Sequence, residues 1–162
     1  MIACGFRCLK LIVSNYISKL SQPNFRTVLD AIHLFASNRG DNINSNLSAI
    51  SMFQNVADFI ARQIKSEAYS FKNTWLVVFE RIKSLGQDHR AEVRRANIHT
   101  LENIVMTHGA TFQSETDEDD GVWSFVFEDV VLGMLQHSIE MFSKSSKVDN
   151  STGQSCQTPQ FS

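Results

Sequence analysis

Residues 74–109 read TWLVVFERIKSLGQDHRAEVRRANIHTLENIVMTHG, and their apolar side chains recur at steps of three and four. Trp75, Val78, Phe79, Ile82 and Leu85 fall on one face of a helix, and Val93, Ala96, Leu101, Ile104 and Val105 fall on one face of the next. Between them stand Gly86, the residue type that ends a helix in a left-handed conformation at least cost, and Asp88, whose carboxylate suits the capping of the following helix. A loop of about three residues leaves the second helix no course but an antiparallel return. Any fold for this chain has to accommodate that hairpin.

The same period runs through the rest of the sequence, and two prolines and seven glycines in 162 residues leave it few places to break. A first helix over 2–19 carries Ile2, Phe6, Leu9, Ile12 or Val13, Tyr16 and Leu20. Pro23 lacks the N–H that a first turn leaves unpaired, so it opens a second helix with Phe25, Val28, Leu29, Ile32 and Phe35 inward. Residues 41–46, rich in Asn, read as a loop with several candidate caps. A third helix over 46–64 turns Leu47, Ile50, Phe53, Val56, Ala57 and Ile60 inward, and a polar linker over 65–72 leads to the central hairpin. Beyond it come an acidic loop at 113–121 and a sixth helix from Val122. Its apolar row, with Trp123, Val126 or Phe127, Val130, Val131, Met134, Leu135 and Phe142, is wide enough for contact on more than one side. Residues 143–162 offer little to bury, and a disordered polar tail is expected there.

The fold class this predicts is all-α. Antiparallel hairpins at about 2–40, 46–86 and 88–142 stack as an α-solenoid segment of HEAT or armadillo type within residues 1–142. Asp88 followed by Val93 and Arg94 fits the HEAT pattern, in which the aspartate caps, the valine packs between helices and the arginine bridges to a neighbouring repeat. Trp75, Arg90 and Gly109 complete the residues expected to hold the repeat, with Trp75 buried against the helix after Asp88. The terminal helices lack polar outer faces, so apolar surface is expected at both ends.

The chemistry-bearing residue types form no reaction centre. Five of the 17 acids lie at Glu115, Asp117, Glu118, Asp119 and Asp120, which leaves the rest of the chain mildly basic, too weakly so for a nucleic-acid ligand. Cys4, Cys8 and Cys156 have no framework spacing and supply fewer thiolates than a zinc site takes, so Cys4 and Cys8 read as small buried residues. The five histidines show no HExxH spacing, and no nucleophile motif, phosphate-cradling loop or calcium loop is present. No catalytic, cofactor-binding or metal-binding residue is therefore expected. Lys83, Arg90, Arg94 and Arg95 read as solvated helix surface, their run broken by Glu92. The most apolar stretch, 122–142, carries Glu128, Asp129, His137 and Glu140, too many ionisable groups for a membrane span.

Residues 42–50 (NINSNLSAI) followed by 55–59 (NVADF) resemble the asparagine-led helix of the Mon-two family, monensin-sensitivity proteins related to the large Sec7-type Arf exchange factors but lacking the Sec7 domain. Residues 5–13 (GFRCLKLIV), 75–94, 100–109 and Trp123 with its helix match collinearly, over about 5–145 in all. The family pattern has a tryptophan at Gln54, a proline at His89 and a long insert at 65–72. Its members are far longer than 162 residues, so the chain reads as a fragment or a truncated product. The resemblance implies a non-catalytic scaffold segment in vesicle-mediated protein transport. It would be peripheral at Golgi, trans-Golgi network and endosome membranes and would act with a Dopey-family protein, an Arf-like GTPase and a phospholipid flippase, with no cofactor and no nucleic acid. The alternative is a regulatory region downstream of the Sec7 domain in a large Arf guanine-nucleotide exchange factor, for which a Sec7 domain upstream would be diagnostic.

Overall fold

A computed structural model describes residues 2–40, 42–63, 71–112 and 121–151. They form six helical rods, and no strand occurs among the described residues. The first rod is α1 (Ile2–Leu11), a π-helical turn (Ile12–Tyr16) and a 3-10 turn (Ile17–Lys19). Next come α2 (Gln22–Ser37), with Pro23 in its first turn, α3 (Ile43–Gln63) and α4 (Phe71–Gly86). Then follow α5 (Ala91–His108), which passes into a 3-10 turn (Gly109–Phe112), and the last rod. That rod is α6 (Gly121–Ser124), a π-helical segment (Phe125–Val131) and α7 (Leu132–Ser151).

Alternate rods share a layer. The first rod, α3 and α5 pack side by side, while α2, α4 and the last rod pack side by side against them. Successive rods thus alternate between the two layers, and the hairpins stack as an α-solenoid. The core lies between the layers, where Ile50, Phe53, Val56, Trp75, Phe79, Ile82, Val93 and Ile104 are fully buried. Contiguous apolar burial of this kind is the main force that holds helices too short to persist alone.

Three local expectations are corrected. Helix α3 begins at Ile43, inside the stretch read as a loop, because Asn42 caps it: its Oδ1 accepts the Ser45 N–H at 3.3 Å. Gly86 is the last residue of α4, as expected, but its backbone is not left-handed. A Cβ there would collide with Met134 Sδ and Cγ, so the missing side chain lets the last rod press onto the α4 backbone. Helix α4 closes instead with tightened bonds, Gln87 N–H to Ser84 O and Asp88 N–H to Leu85 O, both 3.2 Å. Finally, α7 runs on to Ser151, into the stretch read as a disordered tail. No Gly or Pro follows Gly133 in that helix, and Ser143 turns its hydroxyl back onto Ile139 O at 2.9 Å, so nothing stops the winding. Residues 152–162 lie outside the described residues, as do 64–70 of the linker and 113–120 of the acidic loop.

Both terminal rods contain a π-helical stretch where their buried residues come every fourth position. These are Leu9 and Val13 in the first rod, and Val122, Val126, Val130 and Met134 in the last. In an α-helix, steps of four drift round the axis by about 40° each, so the stripe would leave the core within a few turns. The wider turn keeps all four residues of the last rod facing inward.

Candidate functional site

The residues singled out in the sequence gather at the two ends of α5. Before its first turn, the backbone of Arg90 is extended (φ −81°, ψ 124°), which carries the side chain off the helix towards the end of α2. There Nη1 donates to Asn38 O at 2.8 Å and to Asn46 Oδ1 at 3.2 Å, and Nη2 donates to Ala36 O at 3.3 Å. The guanidinium also grips Asp88, Nε to Oδ1 at 3.0 Å and Nη2 to Oδ2 at 2.9 Å. Asn46, buried inside α3, donates to Phe35 O at 2.7 Å and Asn38 O at 2.9 Å. The carbonyls left over at the end of α2 are thus satisfied by side chains from two other elements. This polar staple joins the end of α2, the start of α3 and the turn between α4 and α5.

Asp88 and Arg94 consequently hold roles other than those their spacing predicts. Asp88 does not cap α5, which has no side-chain cap bond. Its Oδ1 accepts the Arg90 N–H at 2.9 Å, closing a turn before the helix. Burial pushes the Asp88 carboxyl up, but hydrogen bonds from the Arg90 side chain and backbone, with the charges of Arg90 and His89, outweigh it and hold the group below the ordinary carboxylate value. Arg94 bridges to no other hairpin: its Nη1 donates to Asp88 O at 2.7 Å and His89 O at 2.9 Å. A side chain in a helix's first turns leans back towards the N-terminus, so Arg94 meets its own loop. Arg90, off the helix, reaches the neighbour. Val93 is fully buried between the layers.

At the other end of α5, Trp75 is fully buried in an aromatic ladder. Its ring lies 5.6 Å from Phe79, 4.7 Å from Phe112 and 6.2 Å from His108. Phe112 in turn meets Trp123 at 5.3 Å, and Trp123 stacks on the exposed Phe127 at 5.1 Å. Gly109 keeps right-handed helical backbone (φ −54°) and lets the chain continue. A Cβ on it would sit 2.9 Å from Trp123 Cζ2, so this glycine is the seat of an indole ring. Beside the ladder, His108 Nε2 lies 2.7 Å from Asp58 Oδ1, which ties α5 to α3.

Other candidates stay apart. Cys4 and Cys8 are exposed and not buried, because α1 ends the stack and has neighbours on one side only. The four basic residues do not form a patch: Arg90 and Arg94 are spent on the staple, and Lys83 pairs with Asp129 at 3.4 Å. His33, on α2, faces Ser84 at 3.2 Å. Burial, then the charge of Arg81, lowers its pKa, with Asp30 opposing. Among the described residues no group of three or more His, Cys, Asp or Glu side chains could hold a metal ion. Nor is any helix there long and apolar enough to cross a membrane. Sequence reasoning missed Asn46, Asn97 and Phe112. Asn97 is buried and donates to Ile82 O at 2.8 Å, which ties α5 to α4. Both asparagines stand on apolar stripes, Asn46 four before Ile50 and Asn97 four after Val93, and that misplaced polarity was the available signal.

The two ends of the stack differ. The first rod packs Phe6, Ile12, Ile17 and Leu20 against the core beside buried Leu9 and Val13, leaving Leu11 and Tyr16 exposed. The last rod exposes Phe127, Leu132, Leu135, Ile139 and Phe142, and a groove of about 300 Å3 lies between it and α5. Apolar excess is thus concentrated at the α7 end and does not appear equally at both.

Fold and site together define a HEAT-like stack of helical hairpins, whose polar side chains close the ends of its own helices and whose last rod presents a bare apolar face. Over 155 residues, 95% of the chain, the sequence is 21% identical to Monensin-resistant homolog 2 of Caenorhabditis elegans and, to the same extent, to Protein MON2 homolog of Caenorhabditis briggsae. The chain spans 9% of the length of each of these relatives. No family model matches the sequence, and no solved structure matches it.

Proposed function

We propose that this chain is a non-catalytic scaffold segment of the vesicle-trafficking machinery, of the Mon-two type, peripheral at Golgi and endosome membranes through protein partners. The observation that carries this reading is the collinear likeness, over 95% of the chain, to two nematode proteins named for MON2 and for monensin resistance. The arrangement of the polar groups agrees with it. Asp88, Arg90, Arg94 and Asn46 bond to one another and to helix ends, the work of a spacer that holds surfaces in register. A Dopey-family protein, an Arf-like GTPase and a phospholipid flippase are the partners the resemblance implies. Proximity labelling with the full chain fused to a biotin ligase tests this in cells. Enrichment of Golgi and endosome proteins, a Dopey-family protein among them, is the expected result. A labelling profile the same as that of the free ligase would overturn the assignment.

A further inference from the structure

Helix α3 buries Phe53, Val56 and Ile60 against the other layer and exposes Asn55 and Arg62 on its opposite side. There a cleft of about 420 Å3 opens between α3 and the first rod, within the ~300–1,000 Å3 of ligand sites. Buried Val13 and Phe59 lie at its floor, and its rim is polar. The wall given by the first rod is its π-helical turn with the 3-10 turn that follows, a departure from α-geometry that recurs at functional sites. We propose that this cleft binds a protein segment in extended conformation that carries acidic side chains, held through its main chain by Asn15, Asn55 and Gln63.

Main-chain recognition follows from the chemistry of the rim. Asn15 stands on one wall, Asn55 and Gln63 on the other, and no side-chain amide of the three has a hydrogen-bond partner among the described residues. A carboxamide has the donors and the acceptor of a peptide bond, so each can pair with a main-chain N–H or C=O. An extended segment has such groups to offer, whereas a helix uses its own internally. Charge selects the acidic side chains. Residues 2–19 hold Arg7, Lys10 and Lys19 and no Asp or Glu. Across the cleft Arg62 turns Nε onto Asp58 O at 3.0 Å, which leaves its Nη groups for a carboxylate. Asp58, the one carboxylate on the rim, is already engaged: its Oδ1 accepts from Gln54 Nε2 at 3.0 Å and lies 2.7 Å from His108 Nε2. The place of the cleft also sets it apart from the ends of the stack, because added hairpins extend the layers sideways and leave this face open.

The proposal does not rest on the trafficking role and is tested on the purified full chain. A display library of random twelve-residue peptides, selected on the wild-type chain, should yield sequences rich in Asp and Glu. Their binding, read by fluorescence anisotropy, should fall about tenfold or more with Arg62→Glu and with Asn55→Ala. Both positions are exposed, and Asn15→Ala gives a further variant on the other wall; circular dichroism checks that all three keep their helices. Amide shifts in nitrogen-15 NMR should map to residues 13–18 and 55–63. N-methylation of single main-chain nitrogens in the tightest peptide should weaken it at a subset of positions. A selection that enriches nothing, or enriches basic or uncharged peptides, would overturn the assignment, as would peptides that bind all three folded variants like wild type or shift amides only outside the cleft. A peptide that tolerates N-methylation at every position would overturn main-chain recognition.

Discussion

Arg90 carries more of the architecture than any other polar side chain described here, because one guanidinium satisfies carbonyls at the end of α2 and the carboxylate that starts the turn into α5. Its side chain is 16% exposed and that of Asp88 9%, so water replaces the lost bonds poorly when either is removed. Arg90→Ala should therefore cost about 2–4 kcal/mol in urea denaturation, and Arg94→Ala, which frees two carbonyls of a single loop, about half as much. The Arg90→Ala deficit should also depend on pH. The folded-state pKa of Asp88 lies below its ordinary value of 3.8, so its stabilisation is complete above that pH and is lost as pH falls through the folded value. The gap between wild type and variant should narrow in acid while the bonds to α2 keep it from closing. A gap unchanged from neutral pH to pH 2 would detach Asp88 from the staple.

The π-helical stretches decide how the terminal rods meet the core. In the last rod a spacing of four places Val122, Val126, Val130 and Met134 in one line, with Met134 resting over Gly86. Deleting the exposed Glu128 would leave Val122, Val126, Val130 and Met134 at steps of four, three and four, which an ordinary α-helix also keeps on one face. Deleting Glu80, equally exposed but inside α4, would instead turn Ile82 and Leu85 by about 100° away from the layer they fill. Thermal melts followed by circular dichroism should give the Glu128 deletion a cooperative transition near that of wild type and the Glu80 deletion none. Loss of cooperativity on deleting Glu128 would mean that the wide turn itself is required.

On the scale of the whole molecule, the stack is close to one-dimensional, since each rod touches its neighbours along one direction and across one layer. α3 and α4 have neighbours on both sides within their layers, whereas the first rod, α2, α5 and the last rod lie at the layer edges. Amide hydrogen exchange should accordingly be slowest around Phe53, Val78 and Ile82 and fastest in the turn at Ser143 and Lys144. Finding the slowest amides in α1 would refute a stack whose stability is centred on its middle.

The sequence by itself determined the helices, their inward faces and the hairpin at α4–α5, because one-sided burial writes a period of 3.6 wherever a helix lies on a core. It placed Trp75 and Val93 among the residues that hold the repeat, and both lie in the core. Hairpin stacking followed from the short connections. Tertiary structure decided whatever depends on which element lies opposite which. Along the chain Gly86 reads only as a helix stop and Gly109 only as part of the repeat, yet Met134 and Trp123 occupy the space their side chains would fill. Arg90 and Arg94 are four residues apart with the same chemistry, and only the position of α2's last turn makes the first a bridge and the second a local clasp. Periodicity records that a face is buried, but it carries no information about the neighbour that buries it. For that reason the bare ridge of α7, as apolar in sequence as any inward stripe, became visible only once the other rods were seen to leave it uncovered.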